Sequence, residues 1–538
     1  MTVSQKSKSL IGGISILGLA GLICKVVGVL YRIPLAAYIG GEGLGIYQKV
    51  FPAYNLLLTI SSAGIPVAIS RMVSHYVTCS DPRSAKRIFR VAAWALTALG
   101  AVATVLLIAA SGYLANESGT AEAKAGYIAI APSLFLVCVM SAFRGYMQGH
   151  RHMLPTAVSQ LIEQVGKVAV ALPLAVIGMK KGGPGYGAAG ALLGTSIAEG
   201  AALLYMMATH VRAKKDFSAI QQDASASLLS GKTIGKRLLA ISVPITLGAC
   251  IVPLAGLIDS FMLTELMEKG GMEAKEALVR YGLYSGMVIT LINVPTALAM
   301  AMSTNLVPAI SAALAKNDRA RAAGESATGL RVAVLVGFPC SVGMSLLAKP
   351  LLYLFYSSSY TAAQLNIAAE LLSVSAMTIV LFTVVQATSG ILQGCGKQRI
   401  PMYTLMAGVV FKVILNYVLV GIPGFDIHGA PIASLVCYTV SMVPNLYYVV
   451  RYTGCRFSAG DLIARPGAAT LLMGAVVYAL WHFVFTEKTL SAGRFTLLIA
   501  VIVCVGAGIA VYAVGAVALK AVKKEDVPAR VRRLIWRK

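Results

Sequence analysis

Long apolar segments alternate with short polar segments along almost the whole chain. We predict fourteen membrane-spanning helices from apolar segments of about 20 residues or more, the length that an α-helix needs to cross a bilayer. The first runs over about residues 10–37 and the second begins near residue 47, while the fifth and sixth run over about 155–178 and 187–209. The first segment lacks the short apolar core and cleavage site of a secretion signal, so we interpret it as the first helix of the fold. The pattern predicts an all-α integral membrane protein.

The polar segments differ in charge, and the difference alternates along the chain. Most of the 46 lysine and arginine residues lie on one side of the predicted membrane, including Arg144 and the basic tail that begins at Lys520. The other side holds few, among them Lys49 and Arg280. Because basic residues in short loops are retained on the cytoplasmic side, we expect both termini in the cytoplasm. An even number of spans requires the same arrangement.

Composition agrees with a membrane protein and excludes other classes. Hydrophobic residues make up 57% of the 538 residues, charged residues make up 12%, and the mean hydropathy is +0.77. The net charge of +25 is large enough for a nucleic-acid binder, but the basic residues flank predicted helices on one side, so no nucleic-acid partner is expected. The nine cysteines stand singly without CxxC spacing, so neither a zinc site nor a disulfide framework is predicted.

Sequence motifs of catalysis are missing. The chain contains no Walker A, HExxH or GxSxG motif. We therefore expect no enzymatic activity, no metal site and no resident cofactor. Any transport must then be driven by Na⁺ or H⁺, by the membrane potential or by the substrate gradient.

The chain contains a repeated unit of six predicted spans. Arg32 and Asp259 occupy matching places within apolar segments at an offset of 227 (259 − 32), and Lys167 and Lys412 match at an offset of 245 (412 − 167). Both units begin on the same side, so we predict two parallel six-helix lobes followed by two further C-terminal helices. The predicted boundaries are 1–212 for the first lobe, 213–236 for a flexible cytoplasmic linker, 237–455 for the second lobe, and 456–538 for the last two spans and the tail.

Ionised side chains within the apolar segments indicate the function most directly. A charge at the centre of a bilayer costs about 3 kcal/mol by insertion scales and normally faces water or a partner. Lys25 and Arg32 are seven residues apart and lie on one helix face, which suits an elongated anion whose phosphate oxygens a guanidinium can bind. The alternative for Lys25 is that its side chain extends to the inner interface of the membrane.

The other embedded residues allow two interpretations. Glu163 and Lys167 are one turn apart, so they either form a pair that only neutralises itself or serve a transport site. Lys412 has Asn416 one turn later instead of an acid, which makes it the better ligand candidate. The candidates for Na⁺ or H⁺ coupling are Asp259, Glu163 and Glu199.

The opening of the chain resembles a known family. Three segments carry this resemblance, namely LYRIP at 30–34, IGGEGLGIY at 39–47 and GIPVAISR at 64–71. They are similar to the polysaccharide transporter branch of the MOP (MATE-like) superfamily, which includes stage V sporulation protein B, YtgP-type proteins and MurJ-type lipid II flippases. The resemblance covers nearly the whole chain, including the two additional C-terminal spans.

This resemblance implies a flippase that works by alternating access between its two lobes in a bacterial plasma membrane. The implied substrate is an undecaprenyl-diphosphate-linked oligosaccharide, in particular lipid II, which moves from the inner to the outer leaflet. The last two spans would hold its lipid tail in a groove. The implied partners are this substrate and membrane lipids, and the implied state is a monomer, with cell-wall synthases as open candidates for contact. In MurJ-type members, basic residues on the first helix face the cavity, and Lys25 and Arg32 match those positions, Arg32 to within one residue.

Two regions depart from the MurJ pattern. Asn55-Leu56-Leu57 is followed by Leu58 where that pattern has arginine, and the segment 290–293 lacks its basic residue of span 8. Other cations are therefore candidate replacements. The complete predicted substrate-binding set is Lys25, Arg32, Lys167, Lys412, Asn293 and Arg280.

Other functions stay open on the sequence. The alternative cargo of a flippase is another lipid-linked polysaccharide unit or a sporulation-specific precursor. A cation-coupled multidrug exporter of the same superfamily generally has twelve spans and an acid-lined cavity. A membrane glycan polymerase or glycosyltransferase usually has large outer loops with catalytic acids or arginines, whereas the longest predicted outer loop, at about 265–280, is only moderately acidic. A structural scaffold would not need embedded charges.

Overall fold

The computed structural model describes the backbone of residues 3–79, 81–117, 119–218, 230–458 and 460–522, with their side chains except those of 3–19, 22, 25, 29, 214–218 and 304. Every regular element in these ranges is helical, which confirms the predicted all-α class. Within the same ranges, 11 elements are long and apolar enough to cross a membrane, or 12 if one bent pair of helices counts as a span. The chain is a multi-pass membrane protein.

The chain divides into two compact units. The first holds Met1–Glu268 and Glu273–Gly282, and the second holds Lys269–Met272 and Leu283–Lys538. The helices of the first unit are α1 (Val3–Ser62), α2 (Ile65–Thr78), α3 (Pro82–Glu117), α4 (Ala123–Gly149), α5 (Leu154–Gly166), α6 (Leu172–Ser218), α7 (Gly231–Lys269) and α8 (Ala274–Gly282), with a π-helical turn at Lys167–Ala171 between α5 and α6.

The second unit continues the all-helical pattern. Its α-helices are α9 (Ile289–Ala315), α10 (Arg319–Leu346), α11 (Ala348–Tyr356), α12 (Ala362–Ser375), α13 (Thr378–Gly394), α14 (Arg399–Val420), α15 (Gly429–Thr453), α16 (Arg465–Ala479) and α17 (Arg494–Ala518). π-Helical turns lie at Leu283–Val288, Gly460–Ala464 and Leu480–Phe485, and 3₁₀ turns lie at Asp426–His428 and Glu487–Leu490.

Two helices are much longer than a single crossing. α1 has 60 residues and α6 has 47, and 60 helical residues extend about 90 Å, roughly three times the hydrocarbon thickness. Gly40 in α1 has φ 68° and Gly183 in α6 has φ 77°, conformations that glycine adopts without strain. Each glycine divides its helix into two arms, at places where the sequence predicted a boundary between spans. The total of fourteen spans stays a prediction, since the candidate spans rest on length and composition alone.

The two arms of α6 pack against each other backbone to backbone. A Cβ atom added at Gly190 would lie 2.2 Å from the Leu174 carbonyl oxygen, and one at Gly194 would lie 2.3 Å from the Ala171 Cα. Small residues spaced four apart permit such close approach between helices in a membrane. These glycines therefore set the distance between the segment that begins at Lys167 and the arm that carries Glu199.

Gly190→Ala should destabilise the first unit by about 1–3 kcal/mol, because the new methyl group meets backbone atoms that cannot rotate away. Thermal unfolding of the purified protein in detergent measures the loss. Gly112→Ala in α3 is the matched control, since a Cβ there meets nothing within 4 Å. The control should be neutral, or more stable by up to about 1 kcal/mol, because alanine favours helix. Equal melting temperatures for both variants would contradict the close packing.

The predicted linker at 213–236 is partly helical. α6 continues to Ser218 and α7 begins at Gly231, while residues 219–229 lie outside the described part of the chain. The compact units also divide the chain at a different place from the predicted lobes, because α7 and α8 belong to the first unit. Compactness and repeat symmetry are different properties, so the boundaries of the lobes stay a prediction.

The last two long helices pack on each other within the second unit. Met473 and Val477 of α16 share a buried apolar cluster with Leu497 and Cys504 of α17, and Leu347 joins the same cluster. The burial of one face of each helix explains how these two helices, predicted to lie outside the repeat, are held to the second unit. A groove for a lipid tail along these helices stays a prediction.

Candidate substrate site

The kink in α1 brings a cation of its first arm to an aromatic ring of its second arm. Arg32 precedes Gly40, and Phe51 follows it. The Arg32 Cζ atom lies 5.2 Å from the centre of the Phe51 ring, within the range of a cation–π interaction. The Arg32 side chain is half-buried. Stacking engages the face of a guanidinium, whereas its in-plane N–H groups are suited to phosphate oxygens.

Phe51 belongs to a row of aromatic rings on the second arm of α1. The centres of the Tyr47 and Phe51 rings are 5.7 Å apart, and those of Phe51 and Tyr54 are 5.9 Å apart. Spacings of three and four residues place the three rings on one helix face. Tyr47 and Tyr54 are buried. The row therefore runs from the Arg32 guanidinium into the buried interior of the unit.

The inner end of this row meets a buried carboxyl group. Glu199 of α6 is only 3% exposed. The Tyr54 hydroxyl donates to Glu199 Oε1 at 3.0 Å, the Ser133 hydroxyl of α4 contacts Oε2, and the two hydroxyl oxygens are 2.7 Å apart. One turn earlier in both helices, the Ser196 hydroxyl donates to the Ala129 carbonyl at 2.9 Å. Helices α1, α4 and α6 are thus held together around Glu199.

Arg144 of α4 binds Glu163 of α5. The distance from Arg144 Nη2 to Glu163 Oε1 is 2.8 Å, and Arg144 Nε donates to Ser159 Oγ at 3.0 Å. The two charged side chains are 14% and 13% exposed. Sequence spacing allows Glu163 to pair with Lys167 instead, but the structure pairs Glu163 with Arg144, and Lys167 begins the π-helical turn. The charge pattern predicts Arg144 to be a flanking cytoplasmic residue, whereas the structure leaves its side chain only 14% exposed.

Lys167 lies close to the same group of residues. Its charge acts on Glu199 of α6 and on Cys24 of α1. Lys25 follows Cys24 in the first arm of α1, but the Lys25 side chain lies outside the described residues. The first unit therefore gathers Arg32, Glu163, Lys167 and Glu199, four of the predicted site residues, around α1, α4, α5 and α6.

The remaining predicted residues lie elsewhere. In the first unit, Asp259 is half-buried in α7, and Arg280 Nε contacts Glu276 Oε1 at 2.9 Å, one turn earlier in α8. In the second unit, Asn293 is exposed in α9 and Lys412 is half-buried in α14. The role of every predicted residue in binding stays a prediction.

The charge pattern predicts Lys49 to be a flanking residue at the membrane surface, but the structure buries this lysine. Its side chain is 1% exposed. The Lys49 ammonium donates to the Ser260 carbonyl and to Thr264 Oγ1 of α7, each at 2.5 Å, and lies 5.5 Å from the centre of the Tyr281 ring. Lys49 is flanked by aromatic and apolar residues on both sides, and this sequence pattern could have predicted the burial of its side chain.

Close packing of α1 on α8 explains why Lys49 is shielded from solvent. A Cβ at Gly45 would lie 2.5 Å from the Leu278 carbonyl oxygen, and a Cβ at Gly282 would lie 2.8 Å from the Gly45 nitrogen. The Tyr281 hydroxyl also donates to the Gln48 carbonyl at 3.3 Å. The absence of side chains at the two glycines lets the helix backbones approach closely.

Lys49→Ala should destabilise the protein by about 2–4 kcal/mol, because it removes a buried four-carbon stem and leaves a cavity. Lys49→Met keeps most of the stem and removes a charge whose burial is costly, so its stability should stay within about 1 kcal/mol of the natural protein. Thermal unfolding in one detergent compares the two variants. An equal loss in both would show that the ammonium, and not the stem, holds α1 to α7.

These features define a multi-pass α-helical membrane protein with a charged and aromatic site in its first compact unit. The chain also matches known protein families. The family described as "Polysaccharide biosynthesis protein" matches residues 10–314, more than half of the chain, and the MatE family matches residues 244–418. The chain belongs to the polysaccharide biosynthesis protein family.

Individual relatives agree with this membership, and each of the following is a protein of Bacillus subtilis strain 168. The uncharacterized membrane protein YabM is 29% identical over 93% of this chain and 91% of its own length. Lipid II flippase MurJ is 26% identical over 94% of both chains. Stage V sporulation protein B is 28% identical over 78% of this chain and 80% of its own length.

A solved structure supports the fold. A structure described as lipid II flippase MurJ in an inward closed conformation superposes with a TM-score of 0.71 at 14% identity, covering 94% of this chain and 98% of that one. Together these matches confirm the resemblance stated from the sequence, and they place the chain in the polysaccharide transporter branch of the MOP superfamily.

Proposed function

We propose that this protein is a flippase for an undecaprenyl-diphosphate-linked oligosaccharide, specifically the lipid II precursor of peptidoglycan. It would carry the substrate from the inner to the outer leaflet of a bacterial plasma membrane by alternating access, with both termini in the cytoplasm. Relatives that cover most of the chain are named a lipid II flippase and a sporulation protein, and these names support this substrate class.

The observation that carries the proposal is the placement of Arg32. A guanidinium within a membrane-spanning helix needs compensation for the water it loses. Here it lies against the Phe51 ring, and Lys167 belongs to the same unit. Glu163 is already neutralised by Arg144, so it does not cancel the charge of Arg32. This arrangement favours an anionic ligand such as a diphosphate.

The other residues of the proposed site follow from the same chemistry. Lys25, Lys412, Asn293 and Arg280 stay candidates for binding the diphosphate or the sugars. Asp259, Glu163 and Glu199 stay candidates for coupling transport to Na⁺ or H⁺. Glu163 is the weakest of the three, because its carboxylate already holds a 2.8 Å ion pair with Arg144.

Reconstitution tests the proposal directly. The full chain is placed in liposomes that contain fluorescent lipid II, and exposure of the label on the opposite leaflet is followed with a membrane-impermeant quencher. The expected result is faster exchange than in protein-free liposomes. An undecaprenyl-diphosphate sugar of another structure and a cationic fluorescent drug are the parallel substrates. Transport of the drug without any movement of the diphosphate lipids would replace the flippase with a multidrug exporter.

A further inference from the structure

Two hydroxyl groups, from Tyr54 and Ser133, meet at the Glu199 carboxyl group, and the three side chains together have an unusual balance of hydrogen atoms. The contacts are Tyr54 to Ser133, Tyr54 to Glu199 Oε1, and Ser133 to Glu199 Oε2. All three side chains are buried, at 2%, 0% and 3% exposure for Tyr54, Ser133 and Glu199. Because water cannot reach the group, its hydrogen bonds must be satisfied from within.

Counting hydrogens distinguishes the two states of the carboxyl group. Each hydroxyl supplies one hydrogen, so an ionised Glu199 leaves two hydrogens for three oxygen–oxygen contacts. One contact would then hold two oxygens with no hydrogen between them. A protonated Glu199 supplies the third hydrogen. Glu199 then donates to Ser133, Ser133 donates to Tyr54, and Tyr54 donates to the Glu199 carbonyl oxygen.

We propose that Glu199, Ser133 and Tyr54 form a proton-binding site, in which a proton on Glu199 closes a ring of three hydrogen bonds and its loss opens the ring. The proposal rests on the proposed transport function, and it selects H⁺ as the coupling ion and Glu199 as the residue that carries it. A sodium ion between the same oxygens would have to separate hydroxyls that are now 2.7 Å apart.

Charged and titratable groups face this site from each helix packed around it. Arg144 of α4, Glu163 of α5 and Lys167 of the π-helical turn act on Glu199, and Tyr47 of α1 interacts with it as well. Arg144 and Glu163 neutralise each other across 2.8 Å, so Lys167 is the main charge that changes the balance. An anion bound to Lys167 would neutralise part of the positive charge that stabilises an ionised Glu199. Anion binding would therefore favour the protonated carboxyl group.

The ring is also linked mechanically to the candidate substrate site. Tyr54 packs on Phe51 with ring centres 5.9 Å apart, and Phe51 supports the Arg32 guanidinium at 5.2 Å. Loss of the proton leaves the Tyr54 and Ser133 oxygens, 2.7 Å apart, with no hydrogen between them, because both hydroxyls then donate to the carboxylate, and their repulsion turns Tyr54 away from Ser133. A turn of Tyr54 shifts the ring on which Arg32 rests. Proton release at Glu199 and anion binding at Arg32 are thereby coupled through two aromatic side chains.

Infrared difference spectra of the full chain in liposomes, recorded between acidic and alkaline buffer, test the proton site without any transport. The natural protein should show the C=O band of a protonated carboxylic acid that disappears as the pH rises. Glu199→Gln should lack this band, and Glu117→Gln, which alters an exposed carboxyl group at the end of α3, should keep it. Tyr54→Phe retains Glu199 but removes the hydrogen bond to its carbonyl oxygen, so the band should move to higher frequency.

Transport assays separate this inference from the proposed function. An imposed proton gradient should change lipid II exchange severalfold in the natural protein and in Glu117→Gln, and it should have no effect on the residual exchange of Glu199→Gln. An unchanged titrating band in both Glu199→Gln and Tyr54→Phe would overturn the proton site while the flippase stands. Loss of the band in Glu199→Gln, together with no movement of any diphosphate lipid, would keep the proton site and overturn the flippase.

Discussion

Arg32→Ala is expected to slow lipid II exchange at least about tenfold, because a charged hydrogen bond to phosphate contributes roughly 1.5–3 kcal/mol. The same substitution removes the cation that lies 5.2 Å from the Phe51 ring. Exchange rates in liposomes at equal protein density measure the effect. Arg32→Lys should retain part of the rate, since lysine keeps the charge but loses the planar fork and its stacking.

Two controls make the Arg32 result specific. Arg90→Ala removes one exposed cation from α3 and should leave the exchange rate unchanged. Phe51→Leu keeps the charge of Arg32 but removes the ring, so it should slow exchange by only a few-fold, corresponding to a cation–π interaction of about 0.5–2 kcal/mol. A normal rate in Arg32→Ala would remove the anion site from the proposed mechanism.

Arg144→Ala should destabilise the first unit by about 3–5 kcal/mol, since it leaves the Glu163 carboxylate, only 13% exposed, without its cation. The loss also includes the hydrogen bond from Arg144 Nε to Ser159 Oγ. Unfolding in mixed detergent micelles measures the difference in free energy.

The double variant Arg144→Met with Glu163→Leu is the matched control for this ion pair. It replaces both buried charges by apolar groups, so it should recover most of the stability that Arg144→Ala loses. If the double variant were as unstable as the sum of its two single variants, the two side chains would contribute independently, and the ion pair would not explain the effect.

Local patterns predicted much of the fold. Runs of apolar residues identified the helices, and the boundaries expected between spans near residues 40 and 183 coincide with Gly40 and Gly183, whose positive φ angles divide α1 and α6. Within the predicted linker at 213–236, helix continues to Ser218 and begins again at Gly231, and the role of this segment as a linker stays a prediction. Hydropathy indicates whether a segment prefers lipid or water, but it does not indicate whether the segment is helical. A polar segment outside the membrane can therefore still form a helix.

The candidate site was predicted less completely than the helices. Arg32, Lys167 and Glu199 were identified because any charge within an apolar helix is unusual. Their partners Tyr54 and Ser133 could not be identified this way, because tyrosine and serine carry no charge and are common in membrane helices. Lys49 and Arg144 were predicted to lie at the membrane surface. A cation near the end of a span gives the same sequence pattern whether its side chain is exposed to water or shielded by neighbouring helices.

The amino-acid sequence by itself determined that this chain is an all-helical membrane protein of the polysaccharide transporter branch with cations embedded in its helices. These properties are local, because hydropathy, motif and charge are read within a single segment. Only the tertiary structure decided that Glu163 pairs with Arg144, that Lys49 is buried against α7, and that Glu199 meets two hydroxyl groups. Such contacts join residues from different helices, and helix packing, with glycines that let backbones touch, sets the distances between them.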